Sequence, residues 1–141
     1  MKRLRMYIGI GALSLAALIL AGCKSTAVTE TKEIQTQRTK DVTVVLLNEK
    51  GELTMGQNRF TIAFRSASNN QPIDVGTVTI GSSMSMPGMA PMTAPIELES
   101  AGASGTYTAK SDFGMSGAWK FEVRWDGPAG RGTTSFNANV R

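Results

Sequence analysis

The sequence predicts an all-β fold, a single sandwich or barrel of seven strands, on three observations. From Asp41 onward the chain breaks into short segments in which apolar and polar residues alternate, clusters of turn residues separate them, and neither helical periodicity nor an internal repeat appears. Alternation with period two sends successive side chains to opposite faces, so each segment offers one face to a core and the other to water.

The strands read in chain order as Val42 to Asn48, Arg59 to Ser66, Val75 to Ser82, Ala94 to Glu99, Gly105 to Ser111, Ala118 to Trp125 and Thr133 to Arg141. In the second, Phe60, Ile62 and Phe64 alternate with Thr61, Ala63 and Arg65. In the sixth, Trp119, Phe121, Val123 and Trp125 alternate with Lys120, Glu122 and Arg124, so the aromatic set should be buried and the charged set solvated. Asn48-Glu49-Lys50-Gly51, Ser68-Asn69-Asn70 and Asp126-Gly127-Pro128-Ala129-Gly130 supply turns, the last closing a hairpin between strands six and seven.

Two segments precede this domain. Residues 1–22 follow signal-peptide logic: a basic start (Lys2, Arg3, Arg5), an apolar run from Ile8 to Leu20, then the small pair Ala21-Gly22. The apolar run has 13 residues, short of the roughly 20 that a membrane-spanning helix needs. Leu20-Ala21-Gly22-Cys23 is similar to a bacterial lipobox, which implies cleavage before Cys23, acylation of that residue and attachment to a membrane. Residues 23–40 read as the lipidated Cys and a disordered tether, because Lys24 to Lys40 holds only Val28 and Ile34 as larger apolar residues. Its 17 residues would span roughly 20 to 25 Å as a flexible chain. Residues 41–141 form the folded domain. Lys24 after Cys23 points to the outer membrane and its periplasmic face if the host is Gram-negative.

Composition excludes several function classes. The 141 residues contain no His and one Cys, so no Ser-His or Cys-His couple and no His-ligated zinc site exists. Acylation of Cys23 would remove the one thiol, and an enzyme is not expected. The formal charge of +4 includes Lys2, Arg3 and Arg5; setting these aside leaves 12 basic against 11 acidic groups. No basic face is concentrated enough to neutralise phosphates, which argues against a nucleic-acid partner. Glu97 and Glu99 share a strand face and read as solvated surface, while Gly127, Gly130 and Gly132 precede a strand and so lack the helix N-terminus of a phosphate loop. Trp119 and Trp125 read as core aromatics, Trp119 being the nearer to the methionines.

One segment stands apart from a scaffold. Met84-Ser85-Met86-Pro87-Gly88-Met89-Ala90-Pro91-Met92 gathers four of the eight methionines in nine residues, and Met115 follows in Phe113-Gly114-Met115-Ser116-Gly117. In an extended chain Met84 and Met86 share a face, and a turn at Pro87-Gly88 would fold Met89 back toward them. Thioethers are soft, neutral donors that suit Cu(I), or Ag(I) by the same softness, and suit zinc, calcium or magnesium poorly. Two readings stand for these residues. They ligate a soft monovalent ion, with Met86, Met89 and Met115 as the leading donors and Met84 or Met92 completing the set. Alternatively, they form an adaptable apolar loop that crosses between the sheets and plugs the sandwich or contacts a partner.

The stretch from Thr77 to Arg141 resembles the YtkA-like domain, an immunoglobulin-like sandwich related to the FixH group and found in exported bacterial proteins and beside adaptor subunits of copper and silver efflux pumps. The most specific points of resemblance are the Met84–Met92 loop, Gly105-Thr106-Tyr107 and Phe113-Gly114-Met115-Ser116-Gly117-Ala118-Trp119. The resemblance covers about Asp41 to Arg141 and implies an immunoglobulin-like strand arrangement. Family members often place His in or near the Met loop; this chain has none, which leaves Cu(I) rather than Cu(II) as the ion its residues suit. The resulting expectation is a lipid-anchored cell-envelope protein that handles Cu(I) or Ag(I) for sequestration, delivery or efflux, in association with a metal-transport or envelope complex. The competing expectation is an accessory interaction module that binds no metal.

Overall fold

The computed structural model describes residues 30–141. Strands β1 (Lys32–Arg38), β2 (Val42–Asn48), β3 (Gly56–Ser66), β4 (Thr77–Met84), β5 (Met92–Thr93), β6 (Ile96–Ala101), β7 (Thr106–Phe113), β8 (Gly117–Gly127) and β9 (Gly130–Val140) form two antiparallel sheets, and the described residues contain no helix. The first sheet has the order β1-β2-β3-β7-β6 and the second β5-β4-β8-β9.

The core follows from the alternation. Phe60, Ile62 and Phe64 on β3 and Trp119, Phe121 and Val123 on β8 are fully buried, while Lys120 and Arg124 are exposed. Strand β8 takes the centre of its sheet, between β4 and β9, and its aromatic face meets β3 across the sandwich. Phe60 and Phe121 pack edge to face with centroids 6.1 Å apart, and Phe121 stacks on Phe136 at 5.6 Å. Such geometries suit the ring quadrupole and add to the burial of apolar area. The β8–β9 hairpin closes at the pair Gly127–Gly130 around Pro128-Ala129, as the turn residues predict.

All seven predicted strands are present, and two more join them. The reading of residues 23–40 as a disordered tether fails over Lys32–Arg38, which is β1, antiparallel to β2. Apolar burial contributes little to this strand, since Ile34, half-buried against the core, is its one large apolar residue. Ladder hydrogen bonds to β2 hold it, and Arg38 donates to the Ala67 carbonyl. A polar, charged strand is what a sheet edge tolerates, because it discourages pairing with other chains. The second addition, β5, pairs with the end of β4 through Ser83–Thr93 and Met84–Met92. The Met-rich segment is therefore a hairpin loop on one sheet rather than a crossover between sheets. The crossing to the first sheet comes after it, before β6, where Ser82 Oγ donates to the Ala94 carbonyl at 2.6 Å and Ser111 Oγ to the Pro95 carbonyl at 2.9 Å.

The signal segment 1–22, Cys23 and tether residues 24–29 lie outside the described residues. Among the described residues no helix is long and apolar enough to cross a membrane.

Candidate metal centre

The alternation that builds β4 carries Met84 inward. Val78, Ile80, Ser82 and Met84 are its buried positions, and Met84 ends the strand 9% exposed. Met92 stands directly opposite in the β4–β5 ladder, so the two side chains share a face. Met86 and Met92 are both half-buried and packed against the core cluster. Beyond Met86 the chain reverses at Pro87-Gly88: the Met89 amide donates to the Met86 carbonyl at 3.2 Å, and Gly88 sits at φ +74°. Proline presets the first central position of such a turn and glycine accepts the positive φ of the second. The turn thus brings the backbones of Met86 and Met89 together, as the sequence predicts, and leaves Met89 67% exposed.

Met115 reaches the same end of the sandwich on the β7–β8 connection and is 41% exposed. Its carbonyl accepts a hydrogen bond from Trp119 Nε1 at 3.0 Å, which ties the loop to the buried indole. Trp119 also packs on Phe113 at 5.1 Å, so it acts as a core aromatic and a positioning residue for Met115. Trp125 is buried toward the other end of β8, paired with Gly132 beside the β8–β9 turn.

The two methionine loops meet at Gly117. A β-carbon built there would stand 2.9 Å from Met84 Sδ, and Gly117 itself has φ +139°. Substitution of Gly117 by Ala is expected to cost about 1–3 kcal/mol through backbone strain and to displace the Met84 thioether. Thermal unfolding and the Met84 methyl NMR resonance would measure the two effects. Gly114, the other glycine of this loop, meets nothing within 4 Å at a built β-carbon, so the surface above it is open.

Of the sequence-predicted donors, Met84 and Met92 are joined by strand register, Met86 and Met89 by the turn, and Met84 touches the loop that carries Met115. Met84, Met86 and Met92 form a packed inner set, whereas Met89 and Met115 face solvent. No charged residue occurs between Val75 and Ile96 or between Phe113 and Trp119, and the described residues hold no cluster of three His, Cys, Asp or Glu able to bind a metal. The two methionine loops are thus free of charged side chains, although Lys120, paired with Ser83, and the Arg141–Glu52 ion pair stand at the same end of the sandwich. The thioethers suit a soft monovalent ion, and neither loop supplies the carboxylates on which hard divalent ions chiefly depend.

The sequence reading misses Met55. Its amide donates to the Arg141 carbonyl at 2.7 Å, and it directly precedes Gly56, which pairs with Phe113 at the end of the β3–β7 ladder. This puts Met55 at the same end as the other methionines, 63% exposed. Its position depends on strand pairing distant in sequence, so no local signal could have revealed it. Glu99 forms no free carboxylate pair with Glu97: Lys110 hydrogen-bonds to it and Arg59 Nε stands 3.0 Å from its Oε2. The Lys110 bond foremost, and the Arg59 charge with it, hold Glu99 below the ordinary carboxylate range.

No curated protein matches the chain. A solved DUF4426 family protein from Pseudomonas aeruginosa is similar at 16% identity and a TM-score of 0.47, over 75% of this chain and 96% of its own. A copper-bound variant of FetP from uropathogenic Escherichia coli strain F11 is similar at 9% identity and a TM-score of 0.42, over 78% and 97% of the two chains. FetP as isolated gives 10% identity and a TM-score of 0.41, over 78% and 95%. The YtkA-like family matches residues 36–124, from within β1 through most of β8 and across both methionine loops, and with more than half of the sequence so matched the chain belongs to the YtkA-like family.

Proposed function

We propose that this chain is a lipid-anchored protein of the bacterial cell envelope whose methionine end binds Cu(I), or Ag(I), for sequestration, delivery or efflux. The gathering of Met84, Met86, Met89, Met92 and Met115 at one end of the sandwich, in two loops that hold no charged residue, carries the reading. Three thioethers can hold a monovalent ion without a charged ligand, and the Pro87-Gly88 turn and the Trp119–Met115 hydrogen bond reduce the ordering that closure around an ion requires. Anaerobic titration of the full chain in detergent with Cu(I), against a competing chelator, tests it: one tightly held ion is expected, and loss of every ion to a weak competitor would refute it.

Methionine has no proton to exchange for a metal, so affinity should hold from about pH 7 down to about pH 5, where His and thiolate sites weaken. The same titration at the two pH values measures this. Anchoring rests on Cys23. Its replacement by Ser should move the protein from the membrane fraction to the soluble one, because stable attachment needs more than one acyl chain; fractionation and intact mass would report it.

The solvent exposure of Met89 and Met115 favours a second reading, an accessory module of an envelope complex that uses flexible apolar side chains as an adaptable contact. Leucine replacements separate the two readings, since leucine keeps the apolar volume and removes the sulfur.

A further inference from the structure

All six methionines between residues 30 and 141 fall at one end of the sandwich, and Met55 is the one that neither methionine loop carries. It does no packing work, being 63% exposed, yet its backbone is held firmly. Its amide is bound by the Arg141 carbonyl at 2.7 Å, and Asn58 brackets the turn, accepting from Thr54 N at 2.9 Å and donating to the Thr54 and Gly56 carbonyls at 2.6 and 2.7 Å. A flexible thioether is thus displayed from a rigid turn. The β3–β7 ladder ends at Gly56–Phe113, so Met55 and Gly114 are the next residues along the two strands. Gly114 has open space above it, and Met115 follows. On the other side of the same short connection, Gly117 lies against Met84 Sδ. The Phe113–Gly117 turn therefore has Met84 Sδ against its second glycine, and Met55, bound to Arg141 just beyond the Gly117–Val140 pair, at the end of the ladder from which its first glycine leaves.

We infer that Met55 is a further thioether donor and that the ion is seated over the Phe113–Gly117 turn, between Met55 and the β4–β5 loop. The inference rests on the soft-ion function proposed above and adds to it a location and a donor from a third segment of the chain. Met55 offers what Met115 offers, an exposed soft donor on a fixed backbone. A donor set drawn from three loops lets the sandwich itself, rather than one mobile loop, fix the spacing of the sulfurs.

The test is carbon-13 NMR of the methionine methyl groups in the full chain, labelled at methionine and titrated with Ag(I), each resonance assigned by Met→Leu replacement. The Met55 methyl is expected to shift in step with that of Met115 over the first equivalent, and Met55→Leu to lower Ag(I) affinity about tenfold. Shifts at Met86, Met89 and Met115 with an unmoved Met55, and unchanged affinity in Met55→Leu, would overturn the inference while leaving the proposed function intact. No shift at any methionine would overturn both. Because the Met55 side chain faces solvent, the variant should unfold at the wild-type temperature, which separates a lost donor from a damaged fold.

Discussion

Replacing Met86, Met89 and Met115 together by Leu is expected to abolish tight Cu(I) binding, with a loss of roughly two orders of magnitude or more, about 3 kcal/mol. Leucine matches methionine closely in volume, and such swaps usually cost less than about 1.5 kcal/mol even in cores. Met89 and Met115 are exposed and Met86 half-buried, so the variant should keep its unfolding temperature within a few degrees. Competition titration measures affinity and calorimetry the fold. Unchanged affinity in the triple variant would remove the metal reading. Persistent capture of an envelope partner by the same variant would then support the interaction module, because the apolar contact survives the exchange.

Truncation of Phe121 to Ala should destabilise the domain by about 3–5 kcal/mol, the range for buried aromatic deletions. Phe121 is fully buried at the middle of β8 and touches three other aromatics: Phe60 at 6.1 Å, Phe113 at 6.0 Å and Phe136 at 5.6 Å. Its removal leaves a void bordered by both sheets, which cannot collapse without shifting the central strand. Stabilities of small domains run from about 5 to 15 kcal/mol, so the variant should be unfolded in part at ambient temperature or lose most of its denaturant tolerance. A chemical denaturation midpoint shifted by less than about 1 kcal/mol equivalent would mean that β8 does not organise the core. The effect should also reach Met115, since Phe113 packs on both Phe121 and Trp119, and Trp119 holds the Met115 carbonyl.

What the sequence makes legible here follows the range over which each signal acts. Strand β2 begins and ends where the apolar pattern does, and the inward set of β8 is evident from period two alone, because burial of one face is written residue by residue. Strand β1 is not legible in that way. Its side chains are largely polar, and what stabilises it, pairing of backbone groups with β2, leaves no mark in composition. Strand β5 is two residues long and sits inside a segment whose prolines argue for a loop; its pairing converts that loop into a hairpin. For the candidate site, Met84 to Met92 are neighbours in sequence, and the glycines around Met115 hint at a close backbone approach, which Gly117 makes to Met84. Met55 depends on the pairing of β3 with β7 and on the C-terminal residue meeting the start of β3, neither of which a single sequence specifies.

X-ray absorption at the copper K-edge tests the central claim most directly. The sample is the Cys23→Ser full chain loaded with one equivalent of Cu(I), in which methionine supplies the only sulfur. The account predicts a first coordination shell of sulfur, identical at neutral and mildly acidic pH and absent in the Met86, Met89 and Met115 triple variant. A shell of nitrogen or oxygen, or copper lost on desalting of the wild-type site, would contradict it.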